Sequence, residues 1–179
     1  MKKGKSRFLR LAVFSSFLAA MSIVFGKYLA INLGEVIRIS FENTPIIFAG
    51  LAFGPITGVG VGVVADLVGC LLVGYAINPV VTLGAAVIGL LAGIFRIFVQ
   101  KSGGVSRYFM IFCAIFFSHL VGSVLVKTIG LAAFYSMPYH ALLLWRALNY
   151  LIVGVLEALI LIPLLSNKRI KEEIRKLGG

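Results

Sequence analysis

The feature that most constrains this chain is a series of apolar runs, each near twenty residues, divided by short polar or Gly/Pro-containing breaks. A helix rises about 1.5 Å per residue, so roughly 20 apolar residues cross the hydrocarbon of a bilayer. On that basis the sequence offers six segments, at about 8 to 28, 37 to 53, 56 to 76, 79 to 99, 108 to 127 and 141 to 165. The 179 residues are 60% hydrophobic and 13% charged, too little polar surface to cover a water-soluble globule. The expected fold class is an all-α integral membrane protein. It is a six-transmembrane-helix bundle forming one domain over residues 1–167, followed by a short charged tail, 168–179. The second segment carries Arg38 and Glu42 at its start, so a short helix preceded by a loop folded into the bundle is the alternative there.

The net charge of +11 would suggest nucleic acid in a soluble protein, but thirteen of the 17 Lys and Arg residues fall at the two ends and in one central loop that holds Lys101 and Arg107. That pattern is a topology signal, so no nucleic acid is expected as a partner. The cytoplasmic side holds the basic excess, which makes this a multi-pass protein of the cell membrane with both termini cytoplasmic. The outer side keeps Lys27, Arg38, Lys127 and Arg146. The start of the chain has the charged head of a signal peptide, yet its apolar run continues to Phe25, so it is read as a retained first helix. The tail reads as a helical end lying along the headgroups. Cys70 and Cys113 sit in apolar runs without paired spacing and are read as packing residues.

Ionisable residues inside apolar sequence are costly, about 3 kcal/mol each at the bilayer centre, and they mark cavities or bundle interiors. Glu35, Arg38, Glu42 and Asp66 concentrate between residues 35 and 69, and outside the tail the one other acid is Glu157. Placed by depth, Arg38, Glu42, Asn78, Thr82, Lys127, Arg146 and Asn149 fall in the outer half. Helical spacing puts Arg146, Asn149, Tyr150, Val153 and Glu157 on one face and His119, Ser123 and Lys127 on another. These residues predict a pocket open to the outside, with cations for an anionic group, acids and amides for a polar ring, and aromatics at its mouth. The aromatics are Tyr75, Tyr135, Tyr139, His140 and Trp145. Asp66 and Glu157 read first as structural ion pairs or hydrogen bonds to a neighbouring helix.

No GxxxxGK[ST] phosphate loop occurs, the two histidines have no metal-ligand spacing, and no nucleophile elbow appears. An enzyme is not expected, and neither is a metal. Small residues recur every four positions at Ala12, Ser16 and Ala20, at Gly54, Gly58 and Gly62, and at Ala85, Gly89 and Gly93. Such stripes let helices pack backbone to backbone, within the bundle or, for the first, against another membrane subunit.

The blocks IRISFENTPIIFAGLAFGPITG and VVADLVGCLLVGYAINPVVTLGAAVIGLLAG resemble the substrate-binding S components of energy-coupling-factor vitamin transporters, specifically the folate group. The resemblance runs from about residue 27 to 93. It implies a subunit that captures a vitamin, folate or a reduced folate, from outside and delivers it through a membrane T component. It also implies two separate ATPase subunits that alone use ATP, with no cofactor bound covalently to this chain. The substrate-binding positions then become Arg38, Glu42, Asn78, Lys127, Arg146, Asn149, Tyr75 and Trp145, and the T-component docking positions Ala12, Ser16 and Ala20, with Ser15 and Ala19 beside them. The alternatives are an S component for another vitamin or a queuosine precursor, and a stand-alone proton-coupled secondary transporter using Asp66 or Glu157.

Overall fold

In a computed structural model, residues 2–33 and 37–177 are described, with side chains described over 6–31 and 39–177; Glu35 and the Arg38 side chain lie outside the described residues. The chain runs through α1 (Lys2–Ile23), which continues into a π-helical turn, Val24–Tyr28, then β1 (Ile31–Leu33), β2 (Ile37–Ile39), α2 (Asn43–Phe53), α3 (Pro55–Val73) and α4 (Pro79–Lys101). There follow α5 (Gly104–Ser118), a π-helical segment His119–Val126, α6 (Lys127–Tyr135), α7 (Tyr139–Ser166) and α8 (Lys168–Leu177). Among the described residues, five helical stretches are long and apolar enough to cross a membrane: Ser6–Tyr28, Pro55–Val73, Pro79–Lys101, Gly104–Tyr135 and Tyr139–Ser166.

The segment expected at 37 to 53 divides in two, and the all-α expectation is modified accordingly. Its first part forms an antiparallel pair, Ile31 opposite Ile39, Asn32 opposite Arg38 and Leu33 opposite Ile37. Alternating β-branched residues favour extended backbone, and packing of Ile39 beside Val124, Tyr150 and Val153 supports a pair too small to stand alone. The second part is α2, whose 11 residues span about 16 Å, half a bilayer's hydrocarbon. All eleven are buried, enclosed by α1, α3, α4 and α7. A helix that meets no lipid has no need of a span's apolar length.

Close backbone contact holds α2, α3 and α4 together. Gly54 ends α2 at φ 99°, ψ 177°, a conformation open essentially to glycine alone, and Pro55 starts α3 at a position where its missing N–H costs nothing. The two glycine stripes then meet each other. A Cβ added at Gly58 would lie 2.4 Å from the Gly89 carbonyl oxygen, one at Gly62 2.5 Å from that of Ala85, and one at Gly93 2.2 Å from the Pro55 Cα.

At the end of the bundle that holds the N-terminus, Arg107 is not a loop residue. It lies in α5 and donates from Nη1 to the Val99 carbonyl at 3.3 Å and from Nη2 to the Leu165 carbonyl at 3.4 Å. One guanidinium thereby serves the C-terminal turns of α4 and α7, where helix carbonyls lack intrahelical donors. α8 is helical, and its Ile174 and Leu177 pack against the main core while Lys168, Arg169 and Lys171 stay exposed.

Candidate functional site

At the other end, the chain segments leaving α1, α3 and α6 surround a cavity of about 590 Å³, within the range of small-molecule pockets. Ser40 and Glu42 approach it from the β2–α2 connection, Asp66 and Cys70 from α3, Tyr75 and Asn78 from the α3–α4 connection. Lys127, Leu131 and Tyr135 come from α6, and Trp145, Arg146, Asn149 and Tyr150 from α7. Of the residues singled out from sequence, Glu42, Tyr75, Asn78, Lys127, Trp145, Arg146 and Asn149 converge here, while Tyr139 and His140 do not line the cavity. Arg38 pairs with Asn32 in the strand register, its side chain being outside the described residues.

The cations are held, not loose. Lys127 is only 5% exposed, and its Nζ donates to Glu42 Oε1 at 3.3 Å and reaches Asn43 Oδ1 at 3.5 Å. Pairing offsets the desolvation of both charges. Arg146 donates from Nε (3.2 Å) and Nη2 (2.8 Å) to the carbonyl of Ser123 and lies over the Tyr150 ring at 5.2 Å. Ser123 belongs to the π-helical segment, where the changed backbone register is a common device of functional sites. Lys27 sits over the Tyr75 ring at 5.3 Å.

Asn78 lines the cavity, but its amide serves the fold. Oδ1 accepts from the backbone N–H groups of Val80 and Val81 as the N-cap of α4, and Nδ2 donates to the Gly130 carbonyl at 2.8 Å. As a ring-binding amide it is a poorer choice than the sequence suggested. The signal was present: Asn before Pro79 is a helix-start pattern.

Beneath the cavity runs a polar chain that sequence reading did not assemble. Asn43 Nδ2 donates to Ser123 Oγ at 3.3 Å, Ser123 Oγ lies 3.2 Å from His119 Nδ1, and His119 Nε2 lies 2.5 Å from Glu157 Oε2. Thr44 donates to Glu157 Oε1 at 2.8 Å. With the His119 proton on Nε2, each donor from Lys127 through Asn43, Ser123 and His119 to Glu157 meets one acceptor in a single direction. Glu157 is fully buried, and the structural reading of it from sequence matches this enclosure. His119 stacks on Tyr150 at 4.8 Å, so the chain braces the cavity wall.

A second, shallow groove lies between α1 and α3. Ala12, Ser15, Ser16 and Ala19 face Thr57, Gly60, Val61 and Val64 across it. Ala12, Ser16 and Ala20 are exposed, and a Cβ at Gly60 would meet nothing within 4 Å.

The model of a family described as the ECF transporter, substrate-specific component, matches residues 10–165. The chain belongs to this family. Among curated relatives, an uncharacterised homologue of MG313 from Mycoplasma pneumoniae is 36% identical over 70 residues, 39% of this chain and 24% of that protein. The folate transporter FolT of Clostridium novyi is 32% identical over 96 residues, 53% of this chain and 54% of that one. The chain thus matches about a quarter and about half the length of these relatives. Among solved structures, a crystal structure of FolT bound with folic acid superposes with a TM-score of 0.68 at 24% identity, covering 88% of this chain and 92% of the other. That likeness establishes the fold. The S-component resemblance read from the two central sequence blocks is thereby borne out at the level of the family.

Proposed function

We propose that this S component captures folate or a reduced folate from outside the cell and hands it to a membrane T component driven by two ATPase subunits. The observation that carries the substrate is the charge content of the cavity: the cations Lys127 and Arg146 and the carboxylates of Glu42 and Asp66 line the same space. A pteroylglutamate has both needs, cations for its two carboxylates and acceptors for its polar ring. The similarity to FolT of Clostridium novyi supports the same choice. In this reading Lys127, Arg146 and Arg38 take the tail, Glu42 and Asn149 hydrogen-bond to the ring, and Tyr75 and Trp145 cover it.

The positive-inside pattern supports a cavity that faces outward and two cytoplasmic termini, with α2 and the strand pair together making the sixth crossing. On that reading residues 1–167 are the S-component domain and 168–179 the cytoplasmic tail. The open groove beside Ala12, Ser16 and Ala20 supports docking of the T component there. ATP belongs to the partner subunits, and no cofactor is assigned to this chain.

Trp145 is the one tryptophan and lines the cavity, so its fluorescence reports occupancy. Titrating the purified chain with folic acid should give saturable one-to-one quenching and a matching heat. Tight binding of a neutral or cationic vitamin, with no response to folic acid, would overturn the substrate while leaving the family intact.

A further inference from the structure

Two carboxylates line the pocket, and they differ in what faces them. Glu42 faces Lys127 at 3.3 Å, but Asp66, which lines the same cavity, has no Lys, Arg or His nitrogen at ion-pair distance among the described residues. Its Oδ2 accepts from the Thr82 hydroxyl at 2.6 Å, and its Oδ1 accepts no hydrogen bond from a described residue. Lys27, which also lines the pocket, is placed over the Tyr75 ring. A carboxylate within a membrane bundle is retained at a cost, and one that turns a bare oxygen to a ligand cavity is matched to donors on whatever fills it.

We infer that Asp66 reads the amino-amidine edge of the substrate ring, the adjacent ring N–H and exocyclic amino group of a 2-amino-4-oxopyrimidine, through two parallel charge-assisted hydrogen bonds. The assignment rests on the folate reading and deepens it. Two coplanar donors side by side match the two oxygens of one carboxylate, a pairing that gives direction as well as strength. Thr82 fixes the plane of that carboxylate from α4, because its hydroxyl engages Oδ2 and leaves Oδ1 open. Glu42 is less suited to the task, since its Oε1 already faces the ammonium of Lys127. Asp66 on α3, and Lys127 and Arg146 on α6 and α7, then orient the ligand: ring toward α3 and α4, carboxylate tail toward α6 and α7.

The experiment compares folic acid with an analogue whose 2-amino group is replaced by hydrogen, titrated against the full-length chain by Trp145 fluorescence. Wild type should bind the analogue about 100-fold more weakly, because a buried acceptor is left unmatched. Asp66→Asn should weaken folic acid by about 100-fold and leave the analogue within about threefold of its wild-type affinity, while Thr82→Val should weaken folic acid by about fivefold. Equal weakening of both ligands by Asp66→Asn, or no weakening of folic acid, overturns the assignment and leaves the folate reading standing. If Asp66→Asn does not fold, the wild-type comparison decides alone: equal affinity for the two ligands overturns it. A wild type that binds no folic acid overturns the folate reading and this assignment together.

Discussion

Removing the ammonium of Lys127 would take the ion-pair cation from Glu42 and a donor from the buried Asn43 carbonyl, and delete a cation facing the cavity. Truncating one side of a buried charged pair usually costs several kcal/mol, two or more orders of magnitude in affinity. Lys127→Ala and Arg146→Ala should each weaken folic acid by about 100-fold in a fluorescence titration, while the exposed Lys101→Ala at the far end leaves it unchanged. Glu157→Ala should act on stability: it leaves His119 and Thr44 without acceptors in a dry interior, a loss of about 3 kcal/mol or more in thermal unfolding of the detergent-solubilised chain, with Glu157→Gln milder. The two polar faces were legible from spacing alone, His119 with Ser123 and Lys127, and Arg146 with Asn149 and Glu157. What spacing does not encode is that the faces meet, because that depends on how α7 rotates against the π-helical segment. Asn43 and Thr44 went unnoticed for the same reason: beside Pro45 they read as a helix start, and only packing shows them buried.

At the scale of elements, helices that cross the membrane are written in long apolar runs, and four of the six expected segments correspond to single helices within a few residues of their expected ends. The fifth is extended: α5, the π-helical segment and α6 make one rod, Gly104–Tyr135. The segment at 37 to 53 does not form one long helix as expected, because hydropathy measures apolarity and not what covers it, and α2 is covered by protein on every side. The glycine stripes were legible as packing faces, and the structure adds their partner. Gly89→Leu should therefore unfold or prevent assembly of the bundle, since a side chain would begin 2.2 Å from the Gly58 backbone and no rotamer relieves backbone overlap. Gel filtration in detergent would show aggregation in place of a monodisperse peak. Arg107→Ala should lower thermal stability without changing affinity for folic acid, because its bonds tie the ends of α4 and α7 far from the cavity.

For the whole molecule, the question is whether this chain moves its ligand alone. A carrier coupled to protons needs an ionisable group that meets each side of the membrane in turn. Asp66 opens to the cavity, but Glu157 is sealed between His119 and Thr44 at 0% exposure. Below them the buried side chains Ile47, Ile88, Ile115 and Leu161 and the glycine contacts of α2, α3 and α4 close the way to the opposite end. The proposed function therefore places release on that side after displacement of the whole bundle by a docked partner. Purified alone in lipid vesicles, the chain should bind folic acid yet not accumulate it under a pH gradient, and should do so only when the T component and ATPases are added with ATP. Ala12→Leu with Ala20→Leu should abolish that ATP-driven uptake and leave binding unchanged, because bulk on the exposed small-residue face would hold a partner helix away. Radiolabelled folate uptake against a pH jump measures both. Accumulation by the chain alone would establish a secondary transporter, and normal uptake by the double variant would remove α1 from the docking surface.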